Sequence, residues 1–122
     1  MGIVSRLKEV LSKTPKPLDG PVEFDEHEIR VHPPTENRIG WAEIDRIVTY
    51  KIDLLTYDEI RVQFEASGGN AIVVTEESPG FRNFMLEVVR RYPSAHDWHA
   101  RVSQPAFADC WTVLYEANPV RT

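Results

Sequence analysis

"YDEIRVQFEASGGNAIVVT", residues 57–75, decides how the chain folds. Ile60, Val62 and Phe64 share one parity, while Glu59, Arg61, Gln63 and Glu65 share the other. Successive side chains of a strand point to opposite faces, so this alternation predicts a strand with its apolar residues on one face and its polar residues on the other. "SGGN", residues 67–70, supplies the small and glycine residues of a tight turn. "AIVVT", residues 71–75, is apolar on both parities, which predicts a strand that is central or covered on both faces. Two strands joined by so short a turn must be antiparallel.

Upstream, "RIGWAEIDRIVTYKIDLL" spaces Trp41, Ile44 and Ile47 three apart. That spacing predicts a helical turn around Ala42 to Asp45, and the β-branched residues from Arg46 predict a strand to about Leu54. Residues 46–75 therefore read as an antiparallel meander. Further back, in "VEFDEHEIRVH", Val22 and Phe24 hold one parity and Ile29 and Val31 the other. One strand keeps a single parity, so a turn at Asp25–Glu28 must make this a hairpin, closed by Pro33, Pro34 and Asn37. "TPKPLDGP", residues 14–21, is a Pro-rich linker. Before it, Ile3, Val4, Leu7, Val10 and Leu11 make the stripe of a short amphipathic helix over residues 3–13.

Downstream, Phe81, Phe84, Met85, Val88, Val89 and Tyr92 form one wide stripe, predicting a helix over 79–92. Ser78 is its expected cap, Pro79 suits its first turn, Arg90 and Arg91 oppose its C-terminal dipole, and Pro93 stops it. Ser94 and Asp97 have the spacing of a weak capping box for a second short helix with Ala95, Trp98 and Val102 inward. "CWTVLYEA", residues 110–117, reads as a last strand or extended segment. The expected architecture is α+β: an antiparallel bent sheet or partial barrel capped by a C-terminal amphipathic helix, with an extra N-terminal helix. Residues 1–21 form the helix and linker, and residues 22–122 one domain.

A chain of 122 residues buries roughly 65% of its unfolded surface and needs no metal or disulfide staple. Its single cysteine, Cys110, fits a reducing compartment, and the expected location is the cytoplasm. Residues 1–16 carry Arg6, Lys8, Lys13 and Lys16 against Glu9, so the rest of the chain is strongly acidic within a net charge of −5. An acidic body argues against general nucleic-acid binding, which draws most of its affinity from phosphate contacts. No run reaches the ~18 apolar residues of a membrane span.

Trp41, Glu43, Ile44, Ile47, Tyr50, Lys51, Asp53, Leu54, Asp58 and Ile60, then Gly80–Phe81, Phe84, Trp98, Val102 and Pro105–Ala106–Phe107, carry a resemblance. The pattern resembles a family of small uncharacterised bacterial proteins, and the order of strands followed by a long helix looks like the pleckstrin-homology-like architecture. The resemblance covers residues 22–116 and implies a fold, with no catalytic residues to carry over. Phosphoinositide-binding members of the wider group use a basic first hairpin. Here that hairpin holds Glu23, Asp25, Glu26 and Glu28, which weighs against phospholipid head groups.

The remaining motifs offer little chemistry. In "PSAHDWHARV", residues 93–102, His96 and His99 sit three apart and could share a metal, but zinc needs three or four protein ligands. Cys110, His27 or His32 would have to converge from elsewhere. Helical phase instead turns His96 and Asp97 to water and sets His99 beside the core. Cys110 lies among apolar neighbours, where cysteine behaves as a small hydrophobe, and nothing identifies a base for it. Acids at Asp53, Asp58 and Glu59, and at Glu76–Glu77, fall in turns, without the alternating oxygen ligands of a calcium loop. "SGG" lacks the spacing and lysine of a phosphate loop, and "MGIVSR" has Arg6 where myristoylation wants Ser or Thr.

These readings lead to an expected non-enzymatic protein-binding module without catalytic residues, cofactor or metal. Its expected partner is another protein, a basic one being suited to Glu23, Asp25, Glu26 and Glu28. An immunity-like protein that blocks a basic toxin is one concrete form. The alternatives are a small hydrolase using surface acids and His99, and a peripheral membrane adaptor working through residues 1–16. The N-terminal helix has three destinations open to it: its own domain, a second copy in a homodimer, or an anionic membrane surface. Trp41, Trp98 and Trp111 are expected in the core, whereas a tryptophan at the surface would mark an interface.

Overall fold

A computed structural model describes residues 20–31, 37–53, 58–103 and 111–117. It is α+β, with two antiparallel sheets and few helices. β1 (Val22–Phe24), β2 (Glu28–Val31) and β3 (Asn37–Gly40) form a three-stranded sheet in that order. β4 (Ile44–Asp53), β5 (Asp58–Ala66), β6 (Ala71–Thr75) and β7 (Thr112–Glu116) form a second sheet in the order β6-β5-β4-β7. A 3₁₀ turn, Trp41–Glu43, leads from one sheet into the other. Helix α1 (Phe81–Arg91), a second 3₁₀ turn (Pro93–Ala95) and the short helix α2 (Trp98–Val102) lie between β6 and β7.

The parity shift at the first hairpin is resolved as the sequence requires. Asp25 Oδ1 accepts the backbone N–H groups of His27 (2.7 Å) and Glu28 (3.0 Å), which turns the chain. Phe24 then pairs with Ile29 and Val22 with Val31. The helical turn after Gly40 is held by the Glu43 carboxylate, which accepts the Gly40 N–H at 2.8 Å. β5 pairs with β4 and β6 in the register that "SGGN" permits, with Phe64 opposite both Ile47 and Ile72.

Both sheets and α1 line one main core. Ile29, Val31 and Ile39 enter it from the first sheet, Ile47, Val62, Phe64 and Val74 from the second, and Phe84 and Val88 from α1. Phe84 sits at its centre, its ring 5.4 Å from Phe64 and 6.2 Å from Trp41, centroid to centroid. Burying a phenylalanine of this kind contributes on the order of 2–3 kcal/mol.

Several expectations need correction. The two sheets are not closed into a barrel. The long helix is not C-terminal: the chain runs on into β7, which returns to the far side of the sheet and pairs with β4. β3 went unpredicted because "NRIG" holds a single buried apolar residue, too little for an alternation to show. Helix α1 starts at Phe81, with Gly80 before it at φ 87 and no side-chain cap. Ser78 is buried one turn earlier, and it is its carbonyl that accepts the Phe81 N–H. Nor do Ser94 and Asp97 form a capping box: the Ser94 hydroxyl donates to the Leu114 carbonyl at 2.6 Å, and Asp97 makes no cap bond. Residues 1–19, and with them the N-terminal helix, lie outside the described residues, as do His32, Pro33, Pro34 and Cys110.

Candidate functional site

The first hairpin gathers its acids around arginine. Arg30 Nη1 meets Asp25 Oδ2 at 2.8 Å and Glu28 Oε2 at 3.1 Å, and Arg38 Nη1 meets Glu28 at 3.3 Å. The Arg30 hydrogen bond, backed by the backbone donors of His27 and Glu28, holds the Asp25 carboxyl well below the usual carboxylate range. The turn is also fastened from behind. Trp41 Nε1 donates to the Asp25 carbonyl at 2.9 Å, and the Arg91 guanidinium lies 4.3 Å from the Trp41 ring centroid. Glu23, Asp25 and Glu26 are all exposed. With Asp25 and Glu28 already paired, however, the hairpin shows less free negative charge than its sequence suggests.

His99 is exposed and does not flank the core as helical phase implied. It lines an open cleft of about 590 Å³ with Glu76, Ser78, Arg82 and Trp98. The Glu76 carboxylate accepts the Ile60 N–H at 3.0 Å, and the His99 ring meets the edge of Trp98. His96 is exposed and Asp97 pairs loosely with Arg101 at 3.5 Å. Among the described residues no three His, Cys, Asp or Glu side chains gather where they could hold a metal ion. Of the residues that would have to converge on such a group, Cys110 and His32 lie outside the described residues and His27 is exposed in the first hairpin.

The three tryptophans part company. Trp41 is buried, and Trp98 is half-buried against Phe81. Trp111 is 49% exposed and stands at the start of β7, its ring stacked on Tyr50 at 4.7 Å. Val113, two residues on, is 38% exposed. β7 is an edge strand, so these two side chains stand at the rim of the second sheet. Ala100 and Arg101 of α2 complete a shallow groove of about 620 Å³ beside them. Arg101 is fixed there by a 3.3 Å hydrogen bond from Nη2 to the Val113 carbonyl.

The outer face of the second sheet was missed by sequence reasoning. Register places Val48, Tyr50 and Ile52 of β4 opposite Gln63, Arg61 and Glu59 of β5, with Val73 and Thr75 of β6 on the same side. All eight are buried. Arg61 Nε donates to Glu59 Oε1 at 2.8 Å, and the Tyr50 hydroxyl donates to Gln63 Oε1 at 3.2 Å. Burial pushes the Tyr50 phenol up, which keeps it a donor. Gln63 Nε2 then donates to Glu65, whose carboxylate binds Arg46 at 2.8 Å. Arg61 Nη1 is buried with no hydrogen-bond partner among the described residues. One signal for this face lay in the sequence: β4 brings apolar Val48, Tyr50 and Ile52 to the side that β5 fills with polar residues.

No family model matches the chain, and comparisons with curated proteins and solved structures give no match either. No helix among the described residues is long and apolar enough to cross a membrane.

Proposed function

We propose that this protein is a non-enzymatic binding module that engages another protein at the β7 rim. The observation that carries this reading is the exposure of Trp111 beside Val113 and Arg101 on an edge strand. Tryptophan and arginine dominate the energetics of protein interfaces, because each brings a large contact area with a fixed polar group. Trp111 is held by its stack on Tyr50 and Arg101 by its bond to Val113, so little conformational freedom is lost when a partner arrives.

The hairpin acids Glu23, Asp25, Glu26 and Glu28 are a secondary surface in this reading, since arginine already answers two of them. The immunity-like form needs these acids to bind a basic toxin and stands or falls with Glu26. The likeness to the pleckstrin-homology-like architecture draws support from two antiparallel sheets around one long helix. It loses support from the strand that follows that helix. A hydrolase built on His99 has less behind it, because a general base needs an orienting partner and the ring makes no hydrogen bond to another described residue. The membrane adaptor rests on residues 1–16, outside the described part.

The test is affinity capture from the native host with the wild-type chain, Trp111→Ala and Glu26→Lys as parallel baits. A partner held by wild type should lose at least about 30-fold in affinity with Trp111→Ala, the mark of a hot spot of about 2 kcal/mol. Circular dichroism must show the variant folded. A partner that Trp111→Ala retains in full while Glu26→Lys loses it would move the interface to the hairpin and overturn this reading.

A further inference from the structure

We infer that the outer face of the second sheet is the seat of the chain's own N-terminal segment, residues 3–13, docked in cis. The face is dry where an outer sheet face would ordinarily be wet. Val48, Tyr50, Ile52 and Val73 are buried on it, along with the ion pair of Glu59 and Arg61. Among the described residues, the ring stacked on this face is Trp111, itself half in water. A sheet buries one face in the core, and a second buried face needs a second layer.

Residues 3–13 fit that layer in size, chemistry and position. As a helix they span about 16 Å, and the four strands beneath span about 14 Å. Ile3, Val4, Leu7, Val10 and Leu11 give one apolar stripe to set against Val48, Tyr50, Ile52 and Val73. The residues 104–110, the other long stretch outside the described part between elements, bring one large apolar side chain, Phe107. Charge is compatible: Arg6, Lys8 and Lys13 would ride near exposed Glu77 just after β6, the Glu65 carboxylate on β5 being already bound to Arg46. The point of entry agrees as well. The Val22 N–H bonds to the Pro79 carbonyl at 3.1 Å, so the chain enters β1 beside the loop that leaves β6. Residues 14–19 reach up to about 20 Å from there, enough to carry the segment over the β6 edge. This inference is independent of the β7 partner, since it concerns the covered part of the face and not its exposed rim.

The test uses the full chain with a nitroxide on Ser5→Cys in a Cys110→Ser background, read by nuclear magnetic resonance. Ser5 lies opposite Leu7 on the helical wheel, so the label does not itself enter the contact. The amides of Val48, Ile52 and Val73 should lose most of their intensity, and those of Arg30 and Arg38 in the first sheet should keep theirs. Leu7→Asp should restore the lost signals. Loss centred on any other surface, or no loss, overturns the inference. If unlabelled-nitroxide, isotope-labelled chains mixed with nitroxide-bearing chains show the same loss, the occupant is a second copy and the cis seat is wrong. Chemical-shift changes from Leu7→Asp in the unlabelled chain must likewise fall on Val48, Tyr50, Ile52 and Val73. A pattern spread over β1–β3 counts against the seat.

Discussion

Replacing the buried pair of Glu59 and Arg61 tests whether the polar side of β5 is dry. The two side chains sit on the same face, with Nε and Oε1 2.8 Å apart and side-chain exposures of 4% for Arg61 and 8% for Glu59. Removing one partner strands the other charge in a poor solvent. Arg61→Met alone, or Glu59→Leu alone, should therefore cost about 3–5 kcal/mol. A chain of this length has a total stability of roughly 6–18 kcal/mol, so either variant remains measurable. The double variant should behave differently. Met and Leu would join Val48, Tyr50, Ile52 and Val73 in an apolar layer, and the unpartnered Arg61 Nη1, itself a burden of about 1–3 kcal/mol, would be gone. The double variant should fall within about 1 kcal/mol of the parent or exceed it. Urea unfolding of all four proteins gives the comparison, with equal m-values as the check on two-state behaviour. If the double variant costs about the sum of the two singles, the pair is not a buried unit and the reasoning fails.

Three further outcomes follow from other contacts. Trp41→Phe loses the indole donor to the Asp25 carbonyl and the better cation–π face for Arg91; thermal unfolding should show a loss of about 1–3 kcal/mol. Gly80→Ala places a Cβ 3.1 Å from the Val22 carbonyl at a positive φ, and should cost about 1–3 kcal/mol, whereas Gly68→Ala, which has open space around it, should be close to neutral in the same melts. Asp25→Asn removes a carboxyl whose folded-state pKa is depressed chiefly by Arg30. Such a group stabilises the fold above its unfolded pKa and loses that contribution as pH falls through the folded value. The gap in melting temperature between wild type and Asp25→Asn should therefore be full at neutral pH and narrow below about pH 4. A gap that widens in acid would contradict the pairing.

Local structure was legible to the extent that it rests on contrast between neighbours. The slip of parity between Phe24 and Ile29 forced a turn, and the structure puts it where Asp25 caps it. The stripe from Phe81 to Tyr92 located α1 to within two residues. The site was less legible. Trp111, Val113 and Tyr115 share a parity against Leu114, but alternation does not say which side is inside, and the shift of register in the β4–β7 pairing blurs even that. His99 was placed by ideal helical phase, yet α2 is only five residues long and turns the ring outward.

By itself the sequence determined where the strands other than β3, the turns and the long helix lie, because those follow from residues a few positions apart: the alternation of 58–66, the glycines at 68–69, the prolines that bound the helix. Only the tertiary structure decided that β7 pairs with β4 after the helix, that Ser94 ties to Leu114 and not to a cap, and that Arg61 and Glu59 face a dry layer. Polarity records what a side chain tolerates, while burial depends on what is laid over it. That covering comes from residues far away in the chain, and the alternation of β5 alone carries no trace of it.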